Sequence, residues 1–196
     1  MRLKDIGLFL VLIFSLAADG FGQEDWSLKK DQDGIKVYTR SVEGTSFKAF
    51  KGSIVLDVDQ DKLIARLTDM SGFSSWMPNV SELEVVNAQT YYVLTDSPWP
   101  AADRDGYYEM TIDDAGMPKE YLIRIAAKPD LGPEKKKTVR ITKSNVVWRI
   151  EALDAGGYLV EYEVEAEPGG GVPGWLANSS VVSIPYDTLS SLRDSF

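Results

Sequence analysis

Cysteine and histidine are both missing from this chain of 196 residues. Without cysteine there is no disulfide, no thiol nucleophile and no attachment point for an N-terminal lipid anchor. Without histidine the commonest general base and the commonest metal ligand are gone. Basic residues are also scarce: 21 Lys and Arg stand against 30 Asp and Glu, for a formal net charge of −9. Phosphate backbones are bound through an excess of Lys and Arg, so nucleic acid is not an expected partner. Nor does any apolar run reach the roughly 20 residues that a bilayer-spanning helix needs.

Motifs for metal or phosphate chemistry are incomplete. Asp57-Val58-Asp59-Gln60-Asp61 hints at a calcium loop, but Lys62 stands where its glycine belongs and Thr68 where its bidentate glutamate belongs. A helix-capping cluster explains these acids better. Gly169-Gly170-Gly171 precedes a helical segment yet lacks the Lys-Ser/Thr of a phosphate loop, and reads as a permissive strand-to-helix turn. The expectation is a protein that is not an enzyme and takes no metal and no cofactor.

What is present begins with a targeting pattern. Arg2 and Lys4 precede the uncharged run from Ile6 to Ala18, and Gly20-Phe21-Gly22 offers small residues where a signal peptidase reads them. Residues 1–22 are predicted to be a signal peptide, which leaves 23–196 as one exported, periplasmic or secreted, soluble domain. No linker, repeat or low-complexity stretch divides that domain. A transient membrane contact stays open through a basic patch such as Lys135-Lys136-Lys137, although the triplet also reads as a solvated turn.

The periodicity is mostly β. Strands are predicted at Trp26 to Asp31 and Ile35 to Arg40, joined through the turn signal Asp31-Gln32-Asp33-Gly34, and at Phe47 to Val55. Leu63, Ile64, Leu67 and Met70 share one stripe of a helix over 59–70, capped by Asp57 or Asp59. Further strands are expected at 82–86, 91–95, 106–113, 120–127, 138–143, 147–153 and 158–166. In the last, Tyr158, Val160, Tyr162, Val164 and Ala166 alternate with Glu161, Glu163 and Glu165, which gives one apolar and one wet face. The apolar face needs a cover, and the segment from Val172 to Arg193 is read as a helix carrying Trp175, Val182, Leu189 and Leu192 on a stripe. Pro185 is expected to kink or divide it.

Two blocks carry more than periodicity. Ser97-Pro98-Trp99-Pro100-Ala101-Ala102-Asp103-Arg104-Asp105 combines two stiffening prolines with a large apolar ring and an acid-base-acid run, and Glu167 to Asn178 joins a strand to a helix through three glycines. With Gly34 to Arg40, Trp76-Met77-Pro78-Asn79-Val80 and Thr188 to Arg193, they resemble the START (steroidogenic acute regulatory protein related lipid-transfer) family over residues 24 to 196. The resemblance implies an α+β helix-grip fold: a curved antiparallel β-sheet wrapped around a long C-terminal α-helix. It further implies one hydrophobic ligand (lipid, sterol-like or fatty acyl) in a tunnel between sheet and helix, and with it a binding or transfer function.

On that reading the tunnel lining is Tyr108, Met110, Ile112, Ile123, Ile125, Val139, Ile141, Trp148, Tyr162, Trp175 and Val182. Periodicity alone lets the same side chains fill a solid core. The mouth loop is Trp99, Pro100, Asp103, Arg104 and Asp105, with Arg104 and Asp105 matching the family's Arg-Asp pair. The pair reads first as a clasp that fixes the loop and second as a headgroup contact. Cholesterol-type members have a cavity arginine where this chain has Met110, so the resemblance leaves sterol, fatty acyl and isoprenoid ligands open. Two other readings stand beside the carrier: a helix-grip enzyme of cyclase or hydrolase type acting on an apolar substrate, and an interaction module with a filled core.

Overall fold

Asp33 and Gly34 take φ of 53° and 77°, the left-handed pair that a two-residue hairpin turn requires, and so set Gln32 opposite Ile35. This turn joins β1 (Ser27–Gln32) to β2 (Ile35–Ser41), and β2 pairs in turn with β3 (Lys48–Leu56). The computed structural model describes residues 25–97, 99 and 101–196; the expected signal peptide 1–22, and Pro98 and Pro100 of the mouth loop, lie outside the described residues.

After β3 the chain forms α1 (Gln60–Thr68). Asp59 caps it by accepting from the Lys62 amide at 3.1 Å, and Leu63 and Leu67 are its buried stripe. A 3₁₀ segment, Met70–Ser75, leads into the meander β4 (Val80–Val85), β5 (Thr90–Thr95), β6 (Arg104–Asp113) and β7 (Glu120–Ala127). The predicted strand over 138–143 is corrected. It comprises β8 (Val139–Arg140), which pairs in parallel with the start of β6, and the first residue of β9 (Lys143–Ala152). β10 (Tyr158–Glu167) then lies between β9 and β3. The order β1-β2-β3-β10-β9-β7-β6-β5-β4 makes a curved, unclosed antiparallel sheet, with β8 off that path.

The alternation in β10 sorts its two faces. Val160, Tyr162 and Val164 are buried, while Glu161 and Glu165 on the outer face meet Lys51 and Arg40 at 3.5 and 2.9 Å. Over the inner face lies the C-terminal segment, which is divided, as Pro185 led one to expect, into α2 (Gly174–Ala177) and α3 (Ser183–Asp194). The break falls before Pro185. That proline sits in the first turn of α3, where its missing N–H has no intrahelical acceptor to lose. α3 buries Leu189 and Leu192 completely and approaches the sheet at Gly52, where a Cβ would lie 2.7 Å from Leu189 Cδ1 and 3.1 Å from Pro185 Cβ. Its first turn is tied down by the Tyr186 hydroxyl donating to Asp33 Oδ2 at 2.5 Å, and its far end by Arg66 donating to the Ser195 carbonyl at 3.0 Å.

Candidate ligand cavity

Core and cavity share the concave face. Met110, Ile123 and Ile150 are buried in one apolar cluster with Leu63 and Leu67 of α1, so that side is solid. Beside it lies a cavity of about 630 Å³. Phe50, Tyr91, Val93, Tyr108, Ile125, Val146, Trp148, Tyr162 and Val164 line it from the sheet. Phe73, Met77 and Leu83 contribute from the 3₁₀ segment, the turn after it and β4, and Val172, Leu176, Val181, Ile184 and Thr188 from the C-terminal segment.

The aromatic wall is set by strand register. Tyr162 opposes Trp148 across β10 and β9, and their rings stack at 4.3 Å between centroids. Tyr91 opposes Tyr108 across β5 and β6, stacked at 5.9 Å. Burial pushes the Tyr108 hydroxyl up to about 12, with Asp105 adding to the rise and Arg140 opposing it. Burial also raises Tyr91 and Tyr162 well above the usual phenol value. All three are therefore neutral at any physiological pH. The charged side chains of the lining are Lys48, Asp96, Arg104 and Asp187, of which only Arg104 is even half-buried.

Of the expected lining residues, Tyr108, Ile125, Ile141, Trp148 and Tyr162 border the cavity. Six others do not. Met110 and Ile123 belong to the solid core, and Ile112, near the end of β6, is 48% exposed. Val139 packs beneath Gly169 and Gly170, whose φ of 66° and 65° carry the chain over it. Trp175 is 75% exposed, and Val182 packs on the core while its neighbour Val181 reaches the cavity. The lining residues missed on β5, Tyr91 and Val93, carried a signal, since they alternate with period two just before the mouth loop.

The mouth is built differently from the expected Arg104–Asp105 clasp. Asp105 points to the opposite face of β6 from Tyr108 and pairs with Arg140, whose Nε and Nη2 donate to its two carboxylate oxygens at 3.2 and 2.8 Å. Both side chains are buried. Arg140 also donates to the carbonyls of Pro129, Gly132 and Pro133, so the pair fixes the loop between β7 and β8. Arg104 makes its own clasp: it donates to Ser97 Oγ at 3.2 Å, to the Ala102 carbonyl, and to the Pro168 carbonyl at 3.3 Å. It thereby ties the mouth loop to the turn after β10. Asp103 holds the same loop by accepting from the Ser97 amide at 2.9 Å, and Trp99 stands at the rim, 93% exposed. Among the described residues, no cluster of side chains suited to a metal is found and no helix is long and apolar enough to cross a membrane.

This architecture has known counterparts. The chain is 35% identical over 186 residues to an uncharacterized protein of Pseudomonas aeruginosa, covering 92% of this chain and 91% of the relative. The crystal structure of a STAR-related lipid transfer protein fragment from Xanthomonas axonopodis superposes with a TM-score of 0.80 at 40% identity, covering 87% of this chain and 97% of that one. The chain belongs to the START family. Human phosphatidylcholine transfer protein is a more distant START relative, 28% identical over 162 residues that cover 79% of this chain and 75% of the human one. Human STARD10, at 21% identity and a TM-score of 0.74, shares the START helix-grip fold. No family model matches the chain.

Proposed function

We propose that this START protein binds a single hydrophobic ligand in the cavity and carries it between apolar surfaces without reacting with it. One observation carries the reading: a cavity of about 630 Å³ with apolar and aromatic walls and its charged groups toward solvent, between the sheet and the C-terminal segment. The names of two relatives, STAR-related lipid transfer protein and phosphatidylcholine transfer protein, support lipid as the ligand class. The composition favours a carrier over a catalyst, because the chain has neither histidine nor cysteine and the cavity phenols are held neutral. Native mass spectrometry of the purified protein tests this. A bound mass that organic extraction removes is expected, and a bare chain that takes up no lipid of any class contradicts it.

Transfer needs contact with a donor surface. Trp99 and Trp175 are 93% and 75% exposed, the first at the rim and the second beside the lining residue Leu176. Each offers an apolar ring with a polar edge, suited to a membrane interface. At a net charge of −9, docking by ring insertion is favoured over docking by charge. Sedimentation with zwitterionic vesicles is expected for the wild type and not for Trp99→Ser/Trp175→Ser; equal sedimentation rules these rings out as the contact. Export is part of the proposal and rests on Arg2, Lys4 and the short apolar run before Gly22. N-terminal sequencing of protein from the producing cells is expected to begin near Gln23, and an intact Met1 in a membrane fraction contradicts that.

A further inference from the structure

Three hydroxyls in the cavity, those of the lining residues Tyr91, Tyr108 and Tyr162, have no hydrogen-bond partner among the described residues. Their rings are fixed, Tyr91 against Tyr108, and Tyr162 between Trp148 and Phe50 at 4.3 and 5.9 Å. On the same wall the Trp148 indole N–H is buried without a partner. A buried donor left unpaired bears the full cost of its desolvation, so native structures keep few of them. Tyr186, near the surface, shows the usual outcome, its hydroxyl donating to Asp33 at 2.5 Å. Of the four groups only the Trp148 N–H is buried without a partner; the three hydroxyls open onto the cavity, so this wall presents donors to whatever occupies it, with no acceptor among the described residues.

The acceptor's charge and size are also constrained. Burial keeps the three phenols neutral, and the cationic side chains of the lining, Lys48 and Arg104, are an exposed residue and a mouth residue already bonded to three partners. A phosphate or carboxylate against the tyrosines would be a buried anion with no counter-charge. A cavity of about 630 Å³ lies within the range of about 300–1,000 Å³ that holds one small ligand. That suits one chain and its head.

Resting on the reading that the cavity takes a hydrophobic ligand, we propose that it is built for a single-chain, uncharged amphiphile. The carbonyl, ester or hydroxyl oxygen of that ligand accepts from one or two of the hydroxyls of Tyr91, Tyr108 and Tyr162, and its chain lies along the apolar walls toward Trp99. The class differs from the phosphatidylcholine named for the human relative.

The test is displacement of a neutral fluorescent probe, diphenylhexatriene, by four lipids: oleyl alcohol, 1-octadecene, oleate and dioleoylphosphatidylcholine. Native mass spectrometry reports the stoichiometry. Oleyl alcohol is expected to bind about tenfold more tightly than 1-octadecene, the worth of one good hydrogen bond. The triple variant Tyr91→Phe/Tyr108→Phe/Tyr162→Phe keeps every ring, and should lose that preference while its affinity for 1-octadecene is unchanged. Single Tyr→Phe variants, each removing one hydroxyl, extend the test if the triple variant folds poorly, and each should narrow the preference. A preference that survives loss of the hydroxyls overturns the inference. So does one-to-one binding of the phospholipid or of oleate in preference to the alcohol, which would leave the carrier reading standing. Failure of all four lipids and of the probe to bind overturns both.

Discussion

Asp105 and Arg140 make the strongest single-residue prediction. Their side chains are buried and joined by two hydrogen bonds, and Arg140 would be left uncompensated without its partner. Breaking such a pair from one side costs about 3–5 kcal/mol, so Asp105→Asn should unfold at markedly lower urea than wild type at pH 7. The effect is pH-dependent. Burial works to raise the Asp105 carboxyl, but the hydrogen bonds and charge of Arg140 outweigh it and hold it below the ordinary carboxylate value. A carboxyl depressed in the folded state stabilises above its unfolded value near 4, and that contribution is lost as pH falls through the lower folded value. The gap between wild type and Asp105→Asn should therefore close in acid; a gap that is constant down to pH 2 contradicts the assignment. Arg104 stands in contrast, since it clasps loops at the surface. Arg104→Ala should cost only about 1 kcal/mol in stability while ligand dissociates faster, measured by stopped-flow release and thermal melting together. Adjacent in sequence, Arg104 and Asp105 looked like one clasp. They serve opposite faces of β6, and the true partner of Asp105 lies 35 residues away, a pairing that no local pattern carries.

Strands and a covering C-terminal helix were legible, but the place where that helix breaks was not, for a physical reason. Alternating side chains mark β10, and β7 runs over the residues its pattern indicates, 120–127, because a half-buried strand writes its two faces into the sequence. The segment Val172 to Arg193 has a helical stripe at both ends but a break between them. There Ser179 and Ser180 turn their hydroxyls onto the carbonyls of Leu176 and Ala177 at 2.6 and 3.1 Å, and so compete with continued helix. Asn178 fastens α2 across the β2–β3 loop: its side chain accepts from the Lys48 amide at 3.0 Å and donates to the Ser46 carbonyl at 2.9 Å. On its other side α2 follows Gly169, Gly170 and Gly171, all at positive φ. α3 is bolted to the sheet through Leu189 and Leu192, whereas α2 buries no residue and is fastened through the Asn178 amide. Asn178→Ala should thus speed ligand exchange by about tenfold, the worth of a lost hydrogen bond or two, and leave the thermal midpoint nearly unchanged. Unaltered exchange would show that α2 is not the moving part.

For the molecule as a whole, the START motifs and the β periodicity led to the right architecture, yet they could not apportion the concave face between core and cavity. Met110 and Tyr108 are two residues apart on the same face of β6. One is packed in the core and the other borders open volume, because α1 fills one part of the grip and no described residue fills the other. Side-chain type is the same in both parts, so the division depends on where a separate element comes to rest. The carrier account depends on that unfilled volume being the ligand's place. Val93, on the cavity wall at the centre of β5, offers the direct test, since Val93→Trp adds a ring that the cavity can accept without displacing the core. Native mass spectrometry of wild type and Val93→Trp, produced side by side and both shown folded by thermal melting, is the decisive measurement. The expected result is a hydrophobic ligand of one copy on the wild type and a mostly empty variant. An equally loaded variant, or a wild type that takes up no lipid when offered it, would contradict the account.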